Sequence, residues 1–191
     1  MLTRRAATLF AVLVLFAATL ASAPAPPQIP QGRSLAPYVP TPQEIVDRML
    51  DLAGVTKDDV VYDLGCGDGR IPITAAKKFG ARAVGVDIDP VRIRESEANA
   101  KAAGVESLVK FVLQDATTVD VSSATVVTLY LLSSSNMTLR PMLTKQLRPG
   151  ARIVSHAFNM GEWEPLKVEQ FDDGTGYKRP LYLWKADGVV R

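Results

Sequence analysis

Three glycines stand at alternate positions in the stretch VYDLGCGDGR, residues 61–70, directly after a short apolar run. Where a parallel strand ends in such a turn and a helix begins, backbone N–H groups and the positive end of the helix point into one small volume. Counted from Gly65, the spacing is G-x-G-x-G, with Arg70 where a dinucleotide-binding motif has its last glycine, and no G-K-[ST] follows. The turn therefore predicts a ligand site that is neither a dinucleotide site nor a P-loop.

Acidic residues stand at the carboxyl ends of three successive predicted strands. Asp63 precedes the glycine turn, Asp87 ends the second strand and Asp115 ends the third. An acid beside the turn suits a cationic ligand better than a pyrophosphate, and an acid at the end of the second strand can accept hydrogen bonds from both hydroxyls of a ribose. Asp63 and Asp87, each taken alone, could merely cap neighbouring helices. The three together predict a ribose-containing ligand with a cationic group.

The elements that position these residues alternate between helix and strand from Thr41 onward. Five strand patterns with helix patterns between them indicate a βα repeat and an α/β fold with a parallel sheet. After the fourth strand, a helix is predicted over MTLRPMLTKQL, residues 137–147. After the fifth strand, LKVEQF and RPLYLW are joined by the turn-rich DDGTGYK, which predicts an antiparallel hairpin.

Charge and the counts of metal-binding residues exclude several classes of function. The chain has 22 Lys and Arg against 20 Asp and Glu and no basic stripe, so we expect no nucleic acid partner. The single cysteine, Cys66, excludes an internal disulfide and a Cys-rich zinc site, and its place in the turn suits a small side chain better than a reactive thiol. With His156 as the single histidine, we expect no metal site.

The first 23 residues form a separate unit. Arg4 and Arg5 precede an uncharged apolar stretch, residues 6–23, which is the layout of a secretory signal peptide, although its 18 residues nearly suffice to span a bilayer. A cleaved signal peptide, an uncleaved membrane anchor and a mis-assigned start codon are the three alternatives. We expect a signal peptide or anchor over residues 1–23, a Pro-rich linker over 24–36 and one domain over 37–191.

The motifs VYDLGCGDGR, GVDID and QDA resemble the successive motifs of class I S-adenosylmethionine-dependent methyltransferases. The resemblance implies a Rossmann-like, seven-stranded sheet that is parallel except for one antiparallel strand in the C-terminal hairpin. It also implies S-adenosylmethionine as the cofactor, which is cationic at its sulfonium and ammonium groups. The cofactor-binding residues that it implies are Asp63 near the ammonium, Gly65, Cys66 and Gly67 along the methionine moiety, Asp87 on the ribose, and Asp115 with Ala116 at the adenine, with Gly69 and Ile88 completing the set.

A narrower resemblance covers about residues 37–184. The segments PYVPTP, DLGCGDGRI, ATVVTLYLL and RIVSHAFNMGEWEP are similar to the small protein-lysine methyltransferases related to those that modify the c subunit of ATP synthase and the adenine nucleotide translocase. This implies a protein partner whose lysine side chain is methylated. The Asn/Asp-Pro-Pro-aromatic string of enzymes that methylate nucleic-acid amino groups does not occur after strand four. A small-molecule methyltransferase and a non-catalytic cofactor-binding or interaction protein remain as alternatives.

Residues after strand four face the transferred methyl group in proteins of this fold. Tyr130, Leu131 and Asn136 are therefore predicted to line the substrate channel. Tyr38, in the segment before the first helix, is assigned to the same channel as a candidate lid over the cofactor. Tyr130, Tyr38 and His156 are candidate catalytic residues, none of them assigned firmly, and for His156 a structural role is the stronger expectation.

The cofactor and the leader conflict over location. S-adenosylmethionine is made in the cytoplasm, which favours a domain that faces the cytoplasm, whereas the leader indicates export, or membrane association through residues 6–23. Both locations remain open.

Overall fold

Helices and strands follow one another along the chain in the order that the sequence predicts. The structure, a computed structural model, describes residues 32, 34–172, 176 and 178–191. The helices are α1 (Gln43–Ala53), α2 (Arg70–Phe79), α3 (Pro90–Ala103) and α4 (Ser133–Gln146). The strands are β1 (Val60–Leu64), β2 (Arg82–Asp87), β3 (Val109–Leu113), β4 (Val126–Leu129), β5 (Arg152–His156), β6 (Lys167–Asp172) and β7 (Lys178–Lys185).

These seven strands form one sheet in the order β3-β2-β1-β4-β5-β7-β6. The first five strands run parallel, whereas β7 is antiparallel to both of its neighbours, β5 and β6. The predicted Rossmann-like α/β sheet with one reversed strand in a C-terminal hairpin is confirmed. The strand order changes direction between β1 and β4, and open α/β sheets bind ligands at the carboxyl ends of the strands beside such a point.

The helix ends follow from local sequence, with one exception. α3 begins at Pro90, after Asp89 accepts the backbone N–H of Val91 at 2.7 Å as an N-cap, and it ends at Gly104 in the left-handed conformation. α4 begins at Ser133 rather than Met137, so its predicted start is wrong. Serine-rich stretches are typical of loops, but here burial of the third serine and of the following asparagine holds the segment in the helix.

Apolar residues are buried on both faces of the sheet. α1, α2 and α3 cover one face, where Ile45 and Met49 are fully buried. α4 covers the other face together with Trp184, whose indole N–H donates to the carbonyl of Trp163 at 2.7 Å. Because both faces of the sheet are covered, a ligand-binding site is expected at the carboxyl ends of the strands.

Two residues at the end of the predicted linker pack on the domain. Leu35 and Ala36, assigned to the linker over 24–36, contact the core on the α4 face. Residues 1–23, with the predicted signal peptide or anchor, lie outside the described residues. Among the described helices, none has the length and apolar character needed to cross a bilayer.

Candidate functional site

A cavity of about 250 Å³ lies at the carboxyl ends of the first four strands, beside the point where the strand order changes direction. Its wall contains every predicted cofactor-binding residue except Gly69, and it also contains three of the predicted channel residues. Those in the wall are Asp63, Gly65, Cys66, Gly67, Asp87, Ile88, Asp115, Ala116, Tyr38, Tyr130 and Leu131.

Gly67, at the centre of the turn after β1, brings the backbone close to the cavity. Its φ of 54° is left-handed, and a Cβ at this position would lie 2.5 Å from Cε2 of Tyr38. Gly69 serves packing instead, because a Cβ there would lie 2.7 Å from Ser96 of α3 and 2.7 Å from Phe111 of β3. The predicted glycine turn therefore contacts the cavity through its first two glycines.

Asp87, at the end of β2, holds this turn in place. One of its carboxylate oxygens accepts the backbone N–H of Gly67 at 2.8 Å, and the other accepts the backbone N–H of Asp89 at 2.9 Å. The side chain also lines the cavity, and a carboxylate oxygen can accept a second hydrogen bond from a ribose hydroxyl.

Asp63, at the end of β1, is a buried carboxyl group. The residue is 3% exposed, and the hydroxyl of Thr128 in β4 donates to its Oδ1 at 2.7 Å. Burial raises the pKa of Asp63 to about 7, the Thr128 hydrogen bond acts in the opposite direction, and the carboxylates of Asp87 and Asp68 add to the increase. A cationic ligand would stabilise the ionised form of this group.

Asp115, after β3, is oriented by its own turn. Its Oδ1 accepts the backbone N–H and the hydroxyl of Thr117, both at 2.8 Å. Gly32 lies against Asp115 and Ile88 at this end of the cavity. The third predicted acid is thus brought to the same cavity as the other two.

Residues 34–41, which we call the N-terminal strap, cross the mouth of the cavity. The carbonyl of Leu35 accepts the hydroxyl of Ser135 in α4, and the carbonyl of Thr41 accepts Nη1 of Arg70 in α2 at 2.7 Å. Between these contacts, the ring of Tyr38 lies 4.5 Å from the guanidinium of Arg92 in α3. The strap, including the predicted lid residue Tyr38, is therefore attached to three helices around the site.

Charged residues at the strap were missed by the sequence analysis. Arg70 forms a 2.5 Å ion pair with Asp68, and although burial opposes ionisation of Asp68, hydrogen bonds and charge from Arg70 hold its pKa below its usual value. Arg92 also lines the cavity. Arginines early in surface helices are common, so their sequence positions carried no signal.

Cys66 lies buried inside the turn. Burial raises the pKa of its thiol well above its usual value, with the carboxylates of Asp63 and Asp87 adding to the effect. The group is a neutral thiol at physiological pH, in keeping with the expectation that its small size suits the turn.

The part of the cavity wall that follows β4 is aromatic and apolar. Tyr130 and Leu131, directly after β4, line the cavity. The Tyr130 ring stacks on His156 at a centroid distance of 4.0 Å and lies 6.2 Å from Phe158. His156 is fully buried and outside the cavity wall, so it supports Tyr130 from behind.

Asn136 lies in the first turn of α4, fully buried and outside the cavity wall. Its amide donates to the Ser155 hydroxyl at 3.1 Å and to the carbonyls of Phe158 at 3.1 Å and Asn159 at 3.3 Å. The residue predicted in the substrate channel is thus attached to the loop after β5, next to that channel.

Comparison with known proteins identifies relatives across the whole domain. A family model described as the ANTKMT methyltransferase domain matches residues 63–167. A protein-lysine N-methyltransferase of Saccharolobus islandicus is 52% identical over 149 residues, which are 78% of this chain and 92% of that protein. The human lysine N-methyltransferase named for the c subunit of ATP synthase is 30% identical over 129 residues, 68% of this chain and 54% of that protein.

Solved structures agree on the fold and the cofactor. An RNA methyltransferase from Salinibacter ruber, in complex with S-adenosylhomocysteine, is 49% identical with a TM-score of 0.76 and aligns over 80% of this chain and 97% of its own. A SAM-dependent methyltransferase from Thiobacillus denitrificans, also with S-adenosylhomocysteine, is 25% identical with a TM-score of 0.55, over 66% of this chain and 51% of its own. Two relatives that are each about half identical to this chain are thus named for different methyl acceptors, one for protein lysine and one for RNA.

Proposed function

The chain belongs to the ANTKMT methyltransferase family and is an S-adenosylmethionine-dependent methyltransferase, and we propose that its acceptor is a lysine side chain of a protein. The predictions of methyltransferase activity and of S-adenosylmethionine as cofactor are confirmed by these relatives. The choice of acceptor is supported by two relatives named as lysine methyltransferases, from Saccharolobus islandicus and from human.

The observation that carries the proposal is the uncharged wall of Tyr130 and Leu131, with Phe158 beside it. A lysine side chain has a long aliphatic stem that packs on aromatic and apolar surfaces. Its amine has a pKa near 10.4 in water and is a nucleophile only when neutral. An apolar wall disfavours the charged ammonium through desolvation, so it increases the neutral fraction where the methyl group is transferred.

The cavity residues fit the cofactor. The glycine turn provides backbone that a ligand can approach closely, and the buried carboxyl of Asp63 suits an ammonium group. When bound, S-adenosylmethionine supplies a methyl group on a positively charged sulfur. We infer that Asp63 holds the ammonium, Asp87 the ribose hydroxyls, and Asp115 with Ala116 the adenine.

Methyl transfer to separated cell fractions tests the acceptor. The full chain is incubated with S-adenosylmethionine tritiated at the methyl group and with protein, RNA and small-molecule fractions of the organism that encodes it. We expect label in the protein fraction that is recovered as methyllysine after acid hydrolysis. Asp120→Asn, an exposed change away from the cavity, serves as the active control, and Gly67→Val, which collides with Tyr38, as the inactive one.

Other outcomes of that experiment overturn the lysine proposal in different ways. Label in RNA would give this chain the acceptor named for the Salinibacter ruber relative. Label in the small-molecule fraction would make it a small-molecule methyltransferase. S-adenosylhomocysteine binding without transfer to any fraction would indicate a non-catalytic binding protein.

We further propose that the domain faces the cytoplasm, where S-adenosylmethionine is made. Fusions at Arg191 test this, one to a reporter active only in the cytoplasm and one to a reporter active only outside it. We expect activity from the first fusion. Activity from the second alone would show that the leader exports the domain.

A further inference from the structure

We propose that Thr128 is a positioning residue that orients Asp63 toward the ammonium group of the cofactor. Thr128 lies in β4 directly opposite Asp63 of β1 in the parallel register, and its hydroxyl donates to Asp63 Oδ1 at 2.7 Å. It is fully buried and outside the cavity wall, so it reaches the cofactor only through Asp63. The proposal concerns the cofactor and does not depend on which acceptor is methylated.

A threonine at this point is costly unless its hydroxyl is bonded. All four residues of β4, Val126–Leu129, are buried, and an unbonded hydroxyl in such a strand costs free energy that valine would not. Apart from Asp63, the hydroxyl is within reach of the carbonyl of Tyr62, at a long 3.4 Å. With Oδ1 of Asp63 engaged by Thr128, Oδ2 is the oxygen left for a ligand in the cavity.

The hydroxyl also favours ionisation of Asp63, which burial opposes more strongly. Asp87 from β2 and Asp68 from the glycine turn are carboxylates that oppose its ionisation, and Cys66 between them is a neutral thiol. Among the groups that act on Asp63, the Thr128 hydroxyl is the one that lowers its pKa. Since an ammonium group binds the carboxylate form, the affinity for the cofactor rises with pH as Asp63 loses its proton.

Titration calorimetry with S-adenosylhomocysteine on the full chain, from pH 5.5 to 8.5, tests the proposal. Thr128→Val removes the hydroxyl at nearly constant volume. We expect its dissociation constant at pH 7 to increase on the order of tenfold. We also expect the midpoint of its pH dependence to move up by about one unit. Thr128→Ser restores both values, and Thr128→Ala provides the same comparison if the valine variant does not fold.

The chain offers a matched control at the opposite end of the same two strands. There the hydroxyl of Thr125 donates to Oδ1 of the buried Asp59, also at 2.7 Å, far from the cavity wall. Thr125→Val removes this bond together with the 2.9 Å hydrogen bond that the same hydroxyl accepts from the backbone N–H of Val60, so it lowers thermal stability but leaves the affinity and its pH midpoint unchanged.

Three results would overturn the proposal. The first is a loss of affinity in Thr128→Val by the same factor at every pH, which indicates general disturbance of the site. The second is an equal effect of Thr125→Val. The third is a pH dependence that survives Asp63→Asn, which would assign the titration to a group other than Asp63.

Discussion

Asp87 accepts the backbone N–H of Gly67 at 2.8 Å, so the end of β2 fixes the centre of the glycine turn that follows β1. Asp87, the acid predicted to contact a ribose, thus has a second role. It holds the turn after β1 against the carboxyl end of β2, where the ligand is expected to bind. Its other oxygen accepts the N–H of Asp89, the N-cap of α3. One carboxylate therefore links the turn, the second strand and the next helix.

Asp87→Asn should weaken cofactor binding through this link. The two backbone N–H groups each use one carboxylate oxygen, and an amide can accept at one oxygen only, so one bond must be lost. We expect the dissociation constant for S-adenosylhomocysteine to increase on the order of tenfold, measured by calorimetry. Asp120→Asn is the control, since Asp120 accepts the N–H of Ser122 through one oxygen that asparagine keeps. An equal affinity in the two variants would contradict the linking role.

Asp63 should make the free energy of unfolding fall as pH rises. Burial raises its pKa to about 7 in the folded protein, whereas an unfolded aspartate has a pKa of about 3.9. The folded state therefore holds this proton more tightly between these values. The stability that results is complete below pH 4 and is lost as pH rises through about 7.

Urea unfolding of the chain without ligand, between pH 4.5 and 7.5, measures this effect. Over that range we expect wild type to lose on the order of a few kcal/mol relative to Asp63→Asn, which cannot titrate. Carboxylates far from Asp63 titrate alike in both proteins and cancel in the difference. If the free energies of unfolding of wild type and Asp63→Asn changed with pH in parallel, Asp63 would have the same pKa in the folded and the unfolded chain.

The sequence predicted the parts of the site that follow directly from strand ends. Asp63, Asp87 and Asp115 lie at the carboxyl ends of three parallel strands or within two residues of them, and such ends meet at one edge of the sheet. Thr128 was missed because its role depends on the strand register, although a polar residue within the apolar run VVTL was a usable signal.

Asn136 shows where such prediction ends. Proximity to the fourth strand placed it in the channel, yet α4 starts four residues earlier than expected and turns the side chain toward the loop after β5. Helix starts in serine-rich stretches depend on tertiary contacts, here that of Ser135 with the strap, which local sequence does not contain.

Tyr38 should act as the central contact of the strap with bound cofactor. Its ring lies against Gly67 and on the guanidinium of Arg92, so Tyr38→Ala removes packing across the mouth of the cavity, whereas Tyr38→Phe keeps most of it. We expect S-adenosylhomocysteine affinity to fall roughly tenfold in the alanine variant and to stay within about twofold in the phenylalanine variant.

Hydrogen exchange of residues 34–41 checks the same prediction independently. Saturating S-adenosylhomocysteine should slow exchange in this segment in wild type, and much less in Tyr38→Ala. Exchange that is insensitive to ligand in wild type would mean that the strap does not close over the cofactor.

Phe158 should determine how well the acceptor binds while leaving cofactor binding intact. Ala157 has a φ of 65°, the one positive φ outside glycine in the described part of the chain, and the N–H of Phe158 bonds to the carbonyl of His156 at 2.9 Å. This γ-turn is strained, and such strain persists where surrounding contacts enforce it. The amide of Asn136 holds the carbonyl of Phe158, and the turn places the ring beside Tyr130.

Steady-state methylation of the protein fraction separates the two binding sites. Phe158→Ala should raise the KM for acceptor on the order of tenfold, because the ring that lies beside Tyr130 at the edge of the apolar wall is lost, and Phe158→Leu should raise it less. Ala157→Gly relieves the strain and frees the turn, so it should raise KM without lowering the melting temperature. In all three variants the dissociation constant for S-adenosylhomocysteine should match that of wild type. Phe158→Ala could instead weaken the binding of S-adenosylhomocysteine as much as the binding of the acceptor. The ring would then support Tyr130 and the cofactor side of the cavity, and the acceptor would bind at another part of the cavity wall.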